Sequence, residues 1–235
     1  MRIEIIEDRL VPYRKAMQWF DDVGRGNRDD EKIIIFEHQD VYTCGKSINN
    51  NTLKQINGTE AISTQRGGLW TWHGRGQVMI YFTLNLRKRK ITLTDWFALT
   101  EPLIVKSIEE EITKLTNLSK AELRKILQIY ADKNKRGFWV KNLKNQSIAK
   151  IGFIGLRITN GFLTHGISIN YNNDLSVFDY INPCGLGNVK ITSISEVVKN
   201  IRIEYQQKDI PQRHHTNNVN DFKTLLANNM NNVFK

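Results

Sequence analysis

Ile148-Ala149-Lys150-Ile151-Gly152-Phe153-Ile154-Gly155-Leu156-Arg157-Ile158-Thr159-Asn160-Gly161-Phe162-Leu163-Thr164-His165-Gly166-Ile167-Ser168-Ile169-Asn170 is the stretch from which the fold is read. Asn-Gly supplies the two positive φ values of a tight hairpin turn. It sits between two runs rich in isoleucine and leucine, which predicts paired strands over 147–159 and 162–171. Residues alternate sides along a strand, so Lys150 is expected to share a face with Gly152, Ile154 and Leu156. The other face carries Ile151, Phe153, Gly155 and Arg157. Both faces are mostly apolar, so the strand reads as buried. By the same alternation His165 shares a face with Leu163, Ile167 and Ile169.

Outward from the hairpin, strand signals recur at 125–130 and 137–140, and further back at 32–36 and 69–86. The last of these reads as two strands around Gly74-Arg75-Gly76. Helical spacing appears at Tyr13, Ala16, Met17, Phe20 and Val23, ended by Gly24. A longer helix, capped by Thr94, would bury Trp96, Leu99, Leu103, Ile104, Ile108, Ile112 and Leu115. Residues 219–234 read as a weak terminal helix, preceded by a polar linker holding Pro211. Strands joined by hairpins, with helices outside the strand runs, predict an α+β fold with a mixed, largely antiparallel sheet and flanking helices.

The 235 residues carry a net charge of +10, which predicts acidic partners. Nucleic acid is the default reading of such a balance, and an acidic carrier protein fits it equally well. The one compact basic cluster is Arg87-Lys88-Arg89-Lys90, readable as a docking patch or as a solvated loop. No apolar run approaches the roughly 18 residues of a membrane span. Acidic residues near the N-terminus argue against a signal or transit peptide. With two cysteines, Cys44 and Cys184, reduced thiols in a cytoplasm are expected.

Two side chains stand out chemically. Lys150 lies on an apolar strand, where burial disfavours the ammonium and would suit the amine to a general base. The bland reading is a strand-end lysine whose head reaches water. Cys184 lies in Asn182-Pro183-Cys184-Gly185, where a constrained turn can hold a thiol beside backbone N–H groups. Its bland reading is a small thiol that only packs. A thiol and an amine that meet would form a nucleophile and its base, pointing to acyl transfer through a thioester.

A third segment, Arg66-Gly67-Gly68-Leu69-Trp70-Thr71-Trp72-His73-Gly74-Arg75-Gly76-Gln77, would let backbone approach a ligand and offer N–H groups to an oxygen. It lacks the third glycine of a dinucleotide fingerprint, since position 79 is Met79. Gly45-Lys46-Ser47 is not a phosphate loop, because position 40 is Asp40. His38, His73 and His165 are scattered without metal-ligand spacing.

Taken together, these segments resemble the octanoyltransferase family, also called lipoyl(octanoyl) transferases or lipoate-protein ligase B. The family pattern R-G-G-x-x-T-x-H-G-x-G-Q is met by Arg66 to Gln77. K-I-x-x-x-G-x-R is met by Lys150-Ile151, Gly155 and Arg157. H-G-x-x-x-N is met by His165-Gly166 and Asn170, and N-P-C-G by Asn182 to Gly185. The four blocks fall in family order. The resemblance covers residues 1–205, taken as the catalytic domain, and leaves 206–235 as a linker and helix of unmatched role. Arg75 and Trp72 depart from the pattern, which has proline and tyrosine there.

The resemblance implies a fold similar to biotin ligase and lipoate ligase catalytic domains. It implies transfer of an octanoyl group from octanoyl-acyl carrier protein to a lysine of lipoyl domains. The acceptors implied are the lipoyl domains of 2-oxoacid dehydrogenases and the glycine cleavage H protein. Cys184 and Lys150 would be catalytic. Arg66, Gly67, Gly68, His73, Gly74, Gly152, Gly155, His165 and Gly166 would bind substrate. No cofactor, metal, nucleic acid or membrane is implied. Two rival readings are an ATP-dependent lipoate or biotin ligase, which has no use for Cys184, and a basic RNA-binding domain, motivated by the charge and the five tryptophans.

Overall fold

The computed structural model describes residues 1–21, 31–46, 54–182, 189–204 and 218–234. A seven-stranded sheet forms the frame, in the order β1-β2-β7-β11-β10-β9-β8. Its strands are β1 (Arg2–Val11), β2 (Lys32–His38), β7 (Gln77–Asn85), β8 (Leu127–Asp132), β9 (Gly137–Asn142), β10 (Ile148–Thr159) and β11 (Phe162–Asn170). Only β1 and β2 run parallel in it. A four-stranded sheet of β4 (Gln55–Ile56), β5 (Thr59–Ser63), β3 (Val41–Cys44) and β6 (Trp70–His73) lies apart from it. The expectation of a mixed, largely antiparallel α+β fold holds.

The hairpin forms as the sequence predicts, with Asn160 at φ 51° and Gly161 at φ 87°. The stretch 69–86 behaves differently from a simple strand pair. Its first strand, β6, pairs with β3, and its second, β7, with β2 and β11. The Gly74–Gly76 turn therefore carries the chain from one sheet to the other.

Among the described residues five α-helices flank the strands: α1 (Tyr13–Asp21), α2 (Leu93–Thr116), α3 (Lys120–Ile126), α4 (Ile194–Glu204) and α5 (Val219–Asn231). Helix α2 starts earlier than expected. Its cap is Thr92 rather than Thr94, because Asp95 completes a reciprocal capping box with Thr92. Its buried stripe is rotated as well: Leu99 is exposed, whereas Thr100 and Ser107 are buried. Lys125 and Ile126, expected in a strand, end helix α3, whose cap Ser119 forms a second capping box with Glu122. For α1, Val23 and Gly24 lie outside the described residues.

The main core lies between the large sheet and α2, α4 and α5, with Ile33, Ile80, Trp96, Ile108, Val198, Phe222 and Met230 buried in it. Helix α5 is part of this core; Phe222, Leu226 and Met230 are fully enclosed. Burying such side chains stabilises by about 1.5–3 kcal/mol each. On the other face, α1 packs Ala16, Met17 and Phe20 over Ile34, Phe36 and Tyr81. A third cluster joins the small sheet to β10 through Tyr42, Trp72, Phe153 and Phe178.

Candidate active site

A cavity of about 420 Å³ opens where the 66–73 segment meets β10 and β11. Gly67, Gly68, His73, Lys150, Gly155, His165 and Gly166 line it, together with Arg66. Gly74 and Gly152 do not. Gly74 packs against the Trp72 indole and Asp40, so closely that a Cβ there would overlap both. Gly152 sits beneath Ile169 and Phe138. Met79, Leu93, Phe97, Ile154, Leu156 and Ile167 give the cavity an apolar wall.

Strand β10 outruns its neighbour β9, whose pairing ends at Gly152. Beyond that point the edge is taken by the glycine-rich segment, with the Gly67 N–H donating to the Leu156 carbonyl at 3.0 Å. Arg66 braces this segment from beneath. Its guanidinium donates to the carbonyls of Thr43 (2.7 Å), Gly67 (2.9 Å) and Leu69 (2.9 Å), and to the Thr43 hydroxyl (2.8 Å). It lines the cavity while holding the loop's shape.

Lys150 is 1% exposed. It does not share the face that strict alternation predicts. The register with β9 slips between Lys150 and Gly152, leaving Ile151 as an extra residue. Such a bulge re-aims side chains. Ile151, Ile154 and Leu156 all turn to the helix-side core. Lys150 comes to lie with Phe153, its Nζ 5.1 Å from that ring and 5.1 Å from Trp139. The Nζ donates to the Arg136 carbonyl at 2.8 Å.

His165 also breaks alternation, and for a comparable reason. Its φ is +65°, a backbone state that is uncommon for non-glycine residues and is typical of functional sites. Leu163, Ile167 and Ile169 face the helix-side core. His165 instead stacks on Phe20 of α1 at 4.9 Å and lies near Tyr81. Burial, aided by Arg66 and Arg157, lowers its pKa to about 3.

His73 begins a buried polar strut that the sequence reading did not anticipate. Its Nδ1 donates to Gln77 Oε1 at 2.7 Å. Gln77 Nε2 donates to Asn170 Oδ1 at 2.8 Å. Asn170 Nδ2 donates to the Thr192 carbonyl at 3.0 Å. Each amide has one oxygen and one NH₂ to offer, so the three bonds fix one direction of donation. That direction places the His73 proton on Nδ1. Burial first, then the nearby His38, lowers the His73 pKa well below the usual value. His38 is held near pKa 4 by burial; it donates to the Val11 carbonyl and accepts from Tyr81. Gln77 and Asn170 stand in motif blocks, and their presence there was the signal for the strut.

Cys184 lies at 183–188, outside the described residues, so its thiol has no stated geometry. Its described flanks are informative. Ile181 and Ile191 both pack on the cluster that holds Phe153. The Lys150 N–H donates to the Lys190 carbonyl at 2.8 Å, and the Thr192 N–H to the Lys150 carbonyl at 2.9 Å. Cys44, the other cysteine, is buried in β3. Trp72, where the family has tyrosine, is buried against Phe178. Arg75, where the family has proline, uses its N–H on Asp40 at 3.4 Å; a proline has none to give. Among the described residues no His, Cys, Asp or Glu group is arranged to hold a metal, and no helix is long and apolar enough to cross a membrane.

Comparison with known proteins gives a consistent result. Residues 14–213 match the lipoyl protein ligase A/B catalytic domain. The octanoyltransferase of Buchnera aphidicola subsp. Acyrthosiphon pisum is 31% identical over 199 residues, covering 85% of this chain and 84% of its own. The octanoyltransferase of Rickettsia felis is 34% identical over 207 residues, covering 85% and 90%. Among solved structures, a candidate lipoate protein ligase from T. acidophilum superposes with a TM-score of 0.58 at 12% identity, covering 100% of this chain and 86% of that one. That last likeness concerns the fold alone.

Proposed function

The chain belongs to the lipoyl protein ligase A/B catalytic domain family, among its octanoyltransferases, and is an acyltransferase; we propose that it moves an octanoyl group from an acyl carrier protein to a lipoyl-domain lysine through a thioester on Cys184. The acceptors are the lipoyl domains of 2-oxoacid dehydrogenases and the glycine cleavage H protein, and the reaction takes place in the cytoplasm.

One observation carries this reading. The main chain just beyond Cys184 is bonded on both sides to Lys150, through Lys190 and Thr192. The chain is thus anchored, six and eight residues after Cys184, to the main chain of Lys150, whose amine lies on the wall of an apolar cavity. An eight-carbon chain suits that wall, since burial contributes about 0.8 kcal/mol per CH₂.

In the first half-reaction Lys150 Nζ takes the Cys184 thiol proton, and the thiolate attacks the carrier thioester carbonyl. Backbone N–H groups of the glycine-rich segment or of the Cys184 turn hold the oxyanion. The carbon–sulfur bond to the carrier breaks, and the carrier thiolate leaves with the proton from Lys150. In the second half-reaction the acceptor lysine attacks the octanoyl-cysteine. Lys150 accepts the amine's proton and returns it to the departing Cys184 sulfur. Thioester exchange is nearly balanced and amide formation from a thioester is downhill, so no nucleotide is needed.

Incubation with octanoyl carrier protein, without ATP, tests this directly. Intact mass should show one octanoyl adduct, removed by hydroxylamine, absent in Cys184→Ala and retained in Cys44→Ala. An adduct that survives Cys184→Ala, or transfer that requires ATP, overturns the reading.

A further inference from the structure

We infer that the buried Lys223–Glu37 ion pair, supplied in part by a helix beyond the family match, is a positioning device for the His73 turn. The inference rests on the reading of the cavity above as the acyl-transfer site.

The family match ends at residue 213, and α5 begins at Val219. Lys223 of α5 is 0% exposed. Its Nζ lies 2.8 Å from Glu37 Oε1 and donates to the Ile6 carbonyl (3.2 Å) and Asn220 Oδ1 (3.1 Å). Glu37, at the end of β2, turns its other oxygen to the Gly76 N–H at 2.6 Å. The Gly76 carbonyl accepts from the N–H groups of Tyr171 (3.0 Å) and Asn172 (3.1 Å). Gly76 is therefore clamped on both sides of its Cα, through its N–H and its carbonyl. It immediately precedes Gln77, which orients His73 and Asn170.

The physical logic is one of charge and reach. A carboxylate accepts an N–H bond more strongly than a neutral group does. A buried carboxylate without a cation is costly, so Glu37 can serve the turn as an anion only with Lys223 beside it. The route runs Lys223, Glu37, Gly76, Gln77, His73, entirely through contacts of 2.8, 2.6 and 2.7 Å and one covalent step. Glu37, Ile6 and Asn220, the described partners of the Lys223 amine, do not line the cavity, so Lys223 acts through others.

The experiment compares full-length variants whose pair carries no charge, so that folding does not hinge on an orphaned ion. Glu37→Gln with Lys223→Met keeps an acceptor for the Gly76 N–H. Glu37→Leu with Lys223→Met removes it. Two readouts are taken well below each melting temperature: the ¹⁵N tautomer signature of the His73 ring, and steady-state transfer from octanoyl-pantetheine. The Gln/Met variant should keep the Nδ1–H signature and a kcat within about threefold of wild type, whereas the Leu/Met variant should lose the signature and fall about tenfold or more in kcat with KM little changed. If both variants keep the signature and the same kcat, the pair is a stability clamp only and the inference falls. If the Gln/Met variant fails as badly as the Leu/Met variant, the acceptor is not what matters, and the inference also falls. Absence of octanoyl transfer in the wild type would count against the proposed function alone, because the ring signature still decides the positioning question.

Discussion

Lys150 and Lys223 are both long cationic side chains shut away from water, at 1% and 0% exposure, and their surroundings differ in kind. Lys223 meets a carboxylate at 2.8 Å plus two further acceptors. Lys150 donates to a carbonyl and lies near two aromatic faces, on a cavity wall. Carbonyls and ring faces stabilise an ammonium less than a carboxylate does. Burial alone therefore does not distinguish a structural lysine from a chemical one. The distinction lies in whether a reactant can reach it.

The largest effect that could break this contrast is kinetic. Lys150→Arg keeps a cation but supplies no base near neutral pH, because a guanidinium holds its proton. Octanoyl transfer should fall by roughly 10²-fold or more, the usual scale for general base catalysis. Near-normal turnover between about pH 6 and 9 in a steady-state assay would make Lys150 a second structural lysine.

Stability should respond by different amounts at the two sites. Lys223→Met leaves Glu37 buried without its cation, which costs about 3–5 kcal/mol and lowers the melting temperature by on the order of 10 °C. Lys150→Met removes a carbonyl contact, two ring contacts and a charge felt by the Asp132 carboxylate. Its melting temperature should stay within a few degrees of wild type. Equal losses at both sites in a thermal melt would dissolve the comparison.

A third group of buried titratable side chains sharpens it. His38, His73 and His165 are held neutral in the fold, His38 with a pKa of about 4 and His165 of about 3. The unfolded chain protonates them near 6.5. Between these values the unfolded state binds more protons, so stability is full above about pH 6.5 and declines as pH falls. Each group contributes a slope of up to roughly 1.4 kcal/mol per pH unit. Urea unfolding at pH 7, 6, 5 and 4 reads this directly, and a flat profile across that range would contradict the neutral assignment.

The smallest effect concerns exposed cations. In the Arg87–Lys90 cluster, Arg89 is paired with Glu31 at 2.8 Å and Arg87 packs over Gly161. In the β8–β9 turn, Lys135 and Arg136 line the cavity itself, with the Arg136 guanidinium 4.2 Å over the Phe97 ring. Steering of an acidic carrier falls off with screening. Changing Lys133 and Lys135 to Ser should raise the carrier KM by about threefold at low salt and leave octanoyl-pantetheine unaffected. A larger effect from Arg87→Ser with Lys88→Ser would return the docking surface to the cluster first read from the sequence.

Periodic and local features are legible in the chain alone. The Asn160-Gly161 hairpin was legible because positive φ is a property of two residues. The α+β class was legible because strand and helix periods differ. The motif blocks were legible because they are contiguous. Tertiary structure alone decided what depends on neighbours far along the chain. A bulge at Ile151, set by the β9 register, chose the side of β10 on which Lys150 appears. A positive φ at His165 carried its ring from the face of Leu163 to that of Phe20. Capping by Asp95 moved the start of α2, and pairing with two different sheets turned the 69–86 stretch into a crossing rather than a hairpin. The strut from His73 to Thr192 and the clamp from Lys223 to Gly76 join residues from distant segments. Their partners are chosen by packing, which no local period encodes.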